Sequence, residues 1–263
     1  MTRSKWYVGD TAIEVPGYRW VRSDHKMHGI STATMAQVTL PGMDGELALP
    51  TTHTVGASEF TLSVAFYGNS YEDMFNRKTA FERMITPKAR LVQITERMPS
   101  GQSLTARCYL IGSDVAELWD GDQDYLEADY SFRIPSGVWL GPSVQFTLPG
   151  SGTHRVPQSL LNGSAPMYET TIDITGADVN FNISAGDDGA AFVSFRGPTN
   201  GGVRIKPAMA VASFPQTGGV SVDAAKYLST GRRTFYIPAD GYVYIDRAIG
   251  VGSITIQARK AYY

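Results

Sequence analysis

Apolar and polar residues alternate along most of this chain. Phe60, Leu62, Val64 and Phe66 are interleaved with Thr61, Ser63 and Ala65, and Leu104, Ala106, Cys108 and Leu110 repeat the device. The longest run sets Leu126, Ala128, Tyr130, Phe132 and Ile134 against Tyr125, Glu127, Asp129, Ser131 and Arg133. A period of two marks a strand with one face buried and the other wet. Further strands are expected around Thr32–Leu40, Arg90–Glu96, Glu169–Ile174, Val179–Ser184, Ala191–Phe195, Thr234–Ile237, Tyr242–Asp246 and Ser253–Ala258. Asp44-Gly45, Asn162-Gly163, Asp188-Gly189, Asn200-Gly201 and Asp240-Gly241 punctuate them as turns. Asp240-Gly241, between Phe235–Ala239 and Tyr242–Asp246, is the cleanest two-residue hairpin signal.

One segment departs from that period. Ser70 followed three residues later by Asp73 resembles a capping box, and Tyr71, Met74, Phe75, Phe81, Met84 and Ile85 recur at helical spacing. Pro87 ends the pattern, because a proline pushes the residue before it out of the α region. The sequence therefore predicts a helix over about 70–86, with its Met and aromatic stripe as a core face.

Composition shifts near Leu140. All four tryptophans precede it, whereas 16 of the 27 glycines follow it. The first 140 residues carry 13 Lys/Arg and 17 Asp/Glu, a balance of −4; the remainder carries 10 and 8, or +2. The expectation is two modules, residues 1–140 and 141–263. The first is a more charged β module with one helix, and the second a tryptophan-free, glycine-punctuated β-sandwich or jelly roll. A hydrophobic share of 43% and a net charge of −2 exclude a disordered chain, and the near-neutral balance argues against a dedicated nucleic-acid binder. No run has the length of a membrane helix, and the N-terminal decapeptide lacks the apolar segment of a secretory signal. No membrane partner is expected.

The candidate chemistry is sparse. Cys108, the one cysteine, sits in an alternating run as a small apolar residue would. His25 and His28 lack the Cys or acidic partners of a zinc set, and His53 and His154 stand alone in loop sequence. Asp120-Gly121-Asp122-Gln123-Asp124 begins like a calcium loop. Tyr125 then replaces the required glycine and Ser131 the bidentate glutamate, so a solvated acidic turn fits better. Asn162-Gly163-Ser164 and Asn182-Ile183-Ser184 match glycosylation acceptors that mean nothing without export. No phosphate loop, dinucleotide fingerprint, nucleophile elbow or metalloprotease helix is present. The expectation is a structural or interaction protein with no catalysis, no metal and no cofactor.

The order of elements carries a resemblance. Trp6-Tyr7-Val8-Gly9-Asp10 precedes a strand that ends in Leu40-Pro41-Gly42-Met43-Asp44-Gly45. The strand to Tyr67-Gly68-Asn69-Ser70, the single helix, and the exit Phe132-Arg133-Ile134-Pro135 then Val138-Trp139-Leu140-Gly141 follow. This succession, over about the first 145 residues, resembles the distal tail proteins of long, non-contractile-tailed bacteriophages. Met43 stands where that family often has Arg after Pro-Gly, so no ionic contact is assigned to this turn. The resemblance implies an N-terminal tail-tube-like β-sandwich or barrel with one helix, followed by a galectin-like β-sandwich. It also implies a homo-hexameric ring at the virion tail tip, assembled in the host cytoplasm. The implied partners are the major tail protein, the tape measure protein and tail-associated hub or adhesion proteins. DNA would pass only through the channel. The clustered Asp114, Glu117, Asp120, Asp122 and Asp124 then become candidates to line that channel, Asp120, Asp122 and Asp124 above all, where they would repel passing DNA. Other readings stay open. One is a carbohydrate-binding, lectin-like protein using Tyr227, Tyr242 and Tyr244 of the second module. The others are a tail tube or head–tail connector subunit, and an enzyme with a hidden carboxylate pair.

Overall fold

The computed structural model describes residues 4–15, 19–22, 37–38, 47–48, 57–86, 91–115, 125–161, 163, 166–167, 169–185, 191–199, 201–215, 221–231 and 235–262. The protein is mainly β and divides into two compact units, residues 1–140 with 263, and residues 141–262.

The first unit is built from two antiparallel sheets that share one long strand. Strands β1 (Lys5–Val8) and β2 (Thr11–Ala12) form a hairpin. β3 (Arg19–Arg22) pairs with β6 (Ser58–Tyr67), and, among the described residues, β4 (Gln37–Val38) and β5 (Leu47–Ala48) pair only with each other. β7 (Val92–Arg97) joins β1 to the first half of β8 (Ser103–Val115). Past Cys108 the same β8 pairs with β9 (Tyr125–Ile134), which also pairs with β6 along its whole length. The alternation explains the core: Leu62, Val64 and Phe66 face Tyr130, Ala128 and Leu126 across the ladder, and all are buried. The opposite face is polar, with Thr61 hydrogen-bonded to Ser131 at 3.1 Å.

Helix α1 (Tyr71–Ile85) starts where Ser70 accepts the Asp73 N–H. It buries Met74, Phe81 and Ile85, and Phe81 packs on Phe66 and Tyr130. The apolar stripe is narrower than the sequence predicts. Tyr71 and Phe75 lie about 60–100° around the helix from that line. They remain exposed, stacked on each other at 6.4 Å.

Strand β10 (Trp139–Leu148) carries the chain into the second unit. There follow β11 (Gly152–Arg155), the short helix α2 (Gln158–Leu161), β12 (Thr170–Ala185), β13 (Ala191–Pro198), β14 (Val203–Lys206), β15 (Val211–Pro215), β16 (Ser221–Asp223), β17 (Leu228–Thr230) and β18 (Tyr242–Tyr262). The sequence separates Glu169–Ile174 from Val179–Ser184, and Tyr242–Asp246 from Ser253–Ala258. Each pair is one continuous strand, and the two long strands lie antiparallel to each other. They bend together at Gly176 and Gly250. Gly250 has φ +71°, and a Cβ there would strike the Asp178 carbonyl, so only glycine fits. On one side of the bend β12 pairs with β14, and on the other with β13. The two halves bury Ile172, Ile174, Phe181, Ile183, Val193, Phe195, Ile205, Ile254 and Ile256 in one core.

Asp240-Gly241 makes a turn but no two-residue hairpin. Gly241 N–H donates to the Pro238 carbonyl at 2.9 Å, and the start of β18 pairs with β11 instead. Pro238 has no N–H to give a ladder, and Ile237 makes an isolated bridge to Met167.

Candidate interaction surfaces

The first surface is the outer half of β8. From Ser103 to Cys108 the strand pairs with β7; from Tyr109 to Val115 one edge pairs with β9, and no described strand occupies the other. Tyr109, Ile111 and Val115 are all exposed there. Gly112 and Leu110 flank a register irregularity against β9. An open edge bearing apolar side chains invites another chain to pair with it. Asp114 stands directly opposite Asp129, so the same hairpin brings like charges together. Asp120, Asp122 and Asp124, with Glu117, fall in residues 116–124, outside the described residues, as do His25, His28, His53 and the Pro41–Gly45 turn.

Around this surface the chemistry is quiet. Cys108 is buried, and the loss of hydration pushes its thiol up to about 12, so it is held as a neutral, unreactive thiol. Burial likewise raises Tyr130, and the Glu82 carboxylate adds to the effect. Glu96 is fully buried opposite Trp6 and Leu104, and desolvation raises its carboxyl above the usual carboxylate range. Ser4 opposes that shift, yet neither Glu96 oxygen has a hydrogen bond of ordinary geometry. No group of three metal-ligating side chains exists among the described residues, and no described helix is long and apolar enough to cross a membrane.

The second surface is the outward face of β11, β18, β12, β13 and β17. One row across these strands reads Thr153, Tyr244, Ser184 and Phe192; the next reads Arg247, Asn182, Ser194 and Ser229. Tyr242 lies under the Arg155 guanidinium at 5.2 Å. Tyr242 and Tyr244, named from the sequence, thus share a face. Tyr227 does not join them: it packs against Phe195 and Phe214. His154 hydrogen-bonds the Gly150 carbonyl at 2.7 Å and serves its own turn. Arg247 went unnoticed in the sequence because a strand bulge, which leaves no motif, aims it outward, and Asn182 stood out there only as part of a glycosylation acceptor.

No protein-family model matches the chain, and no curated protein matches it. Solved structures do. The chain matches the crystal structure of the Dit protein of phage SPP1, described as a paradigm of the hub adsorption apparatus in phages infecting Gram-positive bacteria. The match covers 100% of both chains with a TM-score of 0.71 at 14% identity. It also matches a chain of the phage P2 baseplate in its activated conformation with Ca, over 99% of this chain and 98% of that one, with a TM-score of 0.51 at 10% identity. The protein has the fold of phage distal tail and baseplate proteins. In particular, its fold is that of the SPP1 Dit protein from end to end.

Proposed function

We propose that this chain is a structural virion protein forming a hexameric ring at the distal end of a long non-contractile phage tail. The observation that carries the reading is the likeness to SPP1 Dit, which leaves no part of either chain uncovered. The residue-level chemistry agrees with it. A heterologous contact that closes on itself makes a ring, and the edge of β8 that no described strand occupies, with Tyr109, Ile111 and Val115, supplies one half of such a contact. The first unit is the ring-forming, tail-tube-like domain, and the second is a galectin-like sandwich projecting toward hub and adhesion proteins. The tube side meets the major tail and tape measure proteins. Asp120, Asp122 and Asp124 face the channel, where their charge keeps DNA moving. The protein works without catalysis or cofactor.

Antibodies raised against the purified chain and applied to virions should mark the tail tip, and negative-stain images should show six-fold rings with a central hole. Label on the capsid, or along the whole tail, would remove the proposal. Ile111→Lys should abolish the rings while leaving the monomer folded. A tail-tip map that puts Asp122 on the outer wall would dispose of the channel assignment alone.

A further inference from the structure

We propose that the exposed flank of helix α1 binds a second copy of this chain: Tyr71, Phe75 and Arg83 of one copy lie against Tyr109, Ile111 and Asp114 of the next. The proposal rests on the ring reading and names the half of the contact which that reading leaves open. A heterologous contact needs two different patches on each copy, and the outer half of β8 is one of them. Apart from β8 and the neighbouring Leu91, the exposed large apolar side chains among the described residues of the first unit are Tyr71 and Phe75. Two β8 edges meeting each other would close as a dimer and stop.

The aromatic pair is held in place before any partner arrives. Tyr71 and Phe75 stand one turn apart, 51% and 48% exposed, and stack on each other. The Lys78 ammonium lies over the Phe75 ring at 6.0 Å and is itself fixed by Glu82 at 2.6 Å. Rings already ordered lose little freedom on burial, which suits them to anchor an interface. About two turns beyond Phe75, Arg83 is exposed in the last turn of α1 and forms no ion pair among the described residues.

The outer half of β8 repeats that order. Ile111 is one extra residue between Leu110, opposite Phe132, and Gly112, opposite Ser131. The bulge turns the alternation by one, so Tyr109 and Asp114 share the face on which Arg133 and Asp129 stand. Nothing lies within 4 Å of where a Cβ on Gly112 would be, which leaves an open notch beside Ile111. Asp114 and Asp129 oppose each other, both exposed, with no cation on either among the described residues. Along α1, Phe75 and Arg83 stand about 6 and 18 Å beyond Tyr71. Along β8, Ile111 and Asp114 stand about 7 and 17 Å beyond Tyr109. With the two elements side by side in one direction, the rings meet Tyr109 and Ile111 while Arg83 reaches the two carboxylates. Such charge complementarity fixes the register of the contact.

The test uses full-length chains carrying Phe75→Cys or Ile111→Cys, treated with bismaleimidoethane. The native Cys108 is a buried, neutral thiol, so only the introduced cysteines react. An equal mixture of the two variants should give a covalent dimer that neither gives alone, and a chain carrying both should give a ladder ending at six. A charge exchange supplies the second arm. Arg83→Glu should raise the protein concentration at which rings form about tenfold, and adding Asp114→Arg to it should restore the parent value. Thermal midpoints report that each variant folds. Absence of the mixed cross-link overturns the proposal even if negative-stain images show six-fold rings, and the ring reading then stands without it. So does an Arg83→Glu chain that assembles like the parent. A mixed cross-link with no six-fold rings in the images would support the contact and remove the hexameric reading.

Discussion

At Glu96 the first unit holds a carboxyl group that no water reaches, on the same strand face as Val92 and Ile94. The neighbouring Arg97 offers no relief, because it projects to the other face and lies over the Tyr7 ring at 4.2 Å. A folded-state pKa above the ordinary 4.5 means that the native chain binds more protons than the unfolded one in the interval between the two values. Stability from this group is therefore present in acid and is lost as the pH rises through that interval. Replacing the carboxyl by an amide removes the charge without changing the shape. Glu96→Gln should raise stability by about 1–3 kcal/mol at pH 7.5. The gap to the parent should narrow as the pH falls toward 4.5. Urea titrations of both proteins at several pH values measure it. A gap that is constant with pH would mean that Glu96 titrates alike in both states. The alternation made β7 readable as a strand, but it gave no hint that Glu96 would be held in the core. That depends on Trp6, brought alongside from the other end of the unit, and no local pattern records such a contact.

Helix α1 was the most legible element, and its ends show why. Ser70 caps it, and Asp73 does more than complete the cap. The Asp73 carboxylate accepts from the Asn69 N–H at 3.1 Å and pairs with Arg77 at 2.7 Å, while Arg77 reaches back to the Tyr67 carbonyl at 2.5 Å. The turn after β6 is thus tied to the first two turns of α1. Ser70→Ala should cost about 1 kcal/mol. Asp73→Ala should cost about 2 kcal/mol, since it removes a cap contact and a partly buried ion pair together. Equal losses in the two variants would show that the Arg77 bridge adds nothing. What the helical spacing could not tell was which apolar residues would be buried, because Tyr71 and Phe75 lie off the line that meets the sheet. The candidate surface on β8 was hidden for a related reason. Leu104 to Leu110 alternates and reads as core, but the strand runs on past the end of β7, and alternation does not say where a partner strand stops.

On the scale of the molecule, the second unit owes its shape to two strands that each serve both sides of a fold. The sequence reads four strands where the chain has β12 and β18, because Gly176 and the Gly250-Val251-Gly252 stretch look like breaks between elements. They are corners instead. Antiparallel pairing breaks register between Gly176 and Asn180 and resumes beyond it, so the same two strands connect the β14–β16 side to the β13–β17 side. All the residues of the buried cluster from Phe146 to Ala258 belong to this unit. A core closed within one segment, in a unit of about 120 residues, is large enough to stand without staples. Residues 141–262 produced alone should therefore fold, with a β-type circular dichroism spectrum and a single cooperative thermal transition. Gly250→Val in that fragment should abolish the transition, since a side chain there collides with the Asp178 carbonyl and forces φ out of the left-handed region. A fragment that binds a hydrophobic dye and melts without a transition would mean that the unit depends on the first 140 residues. A Gly250→Val fragment as stable as the parent would mean that the corner is not where the two long strands turn.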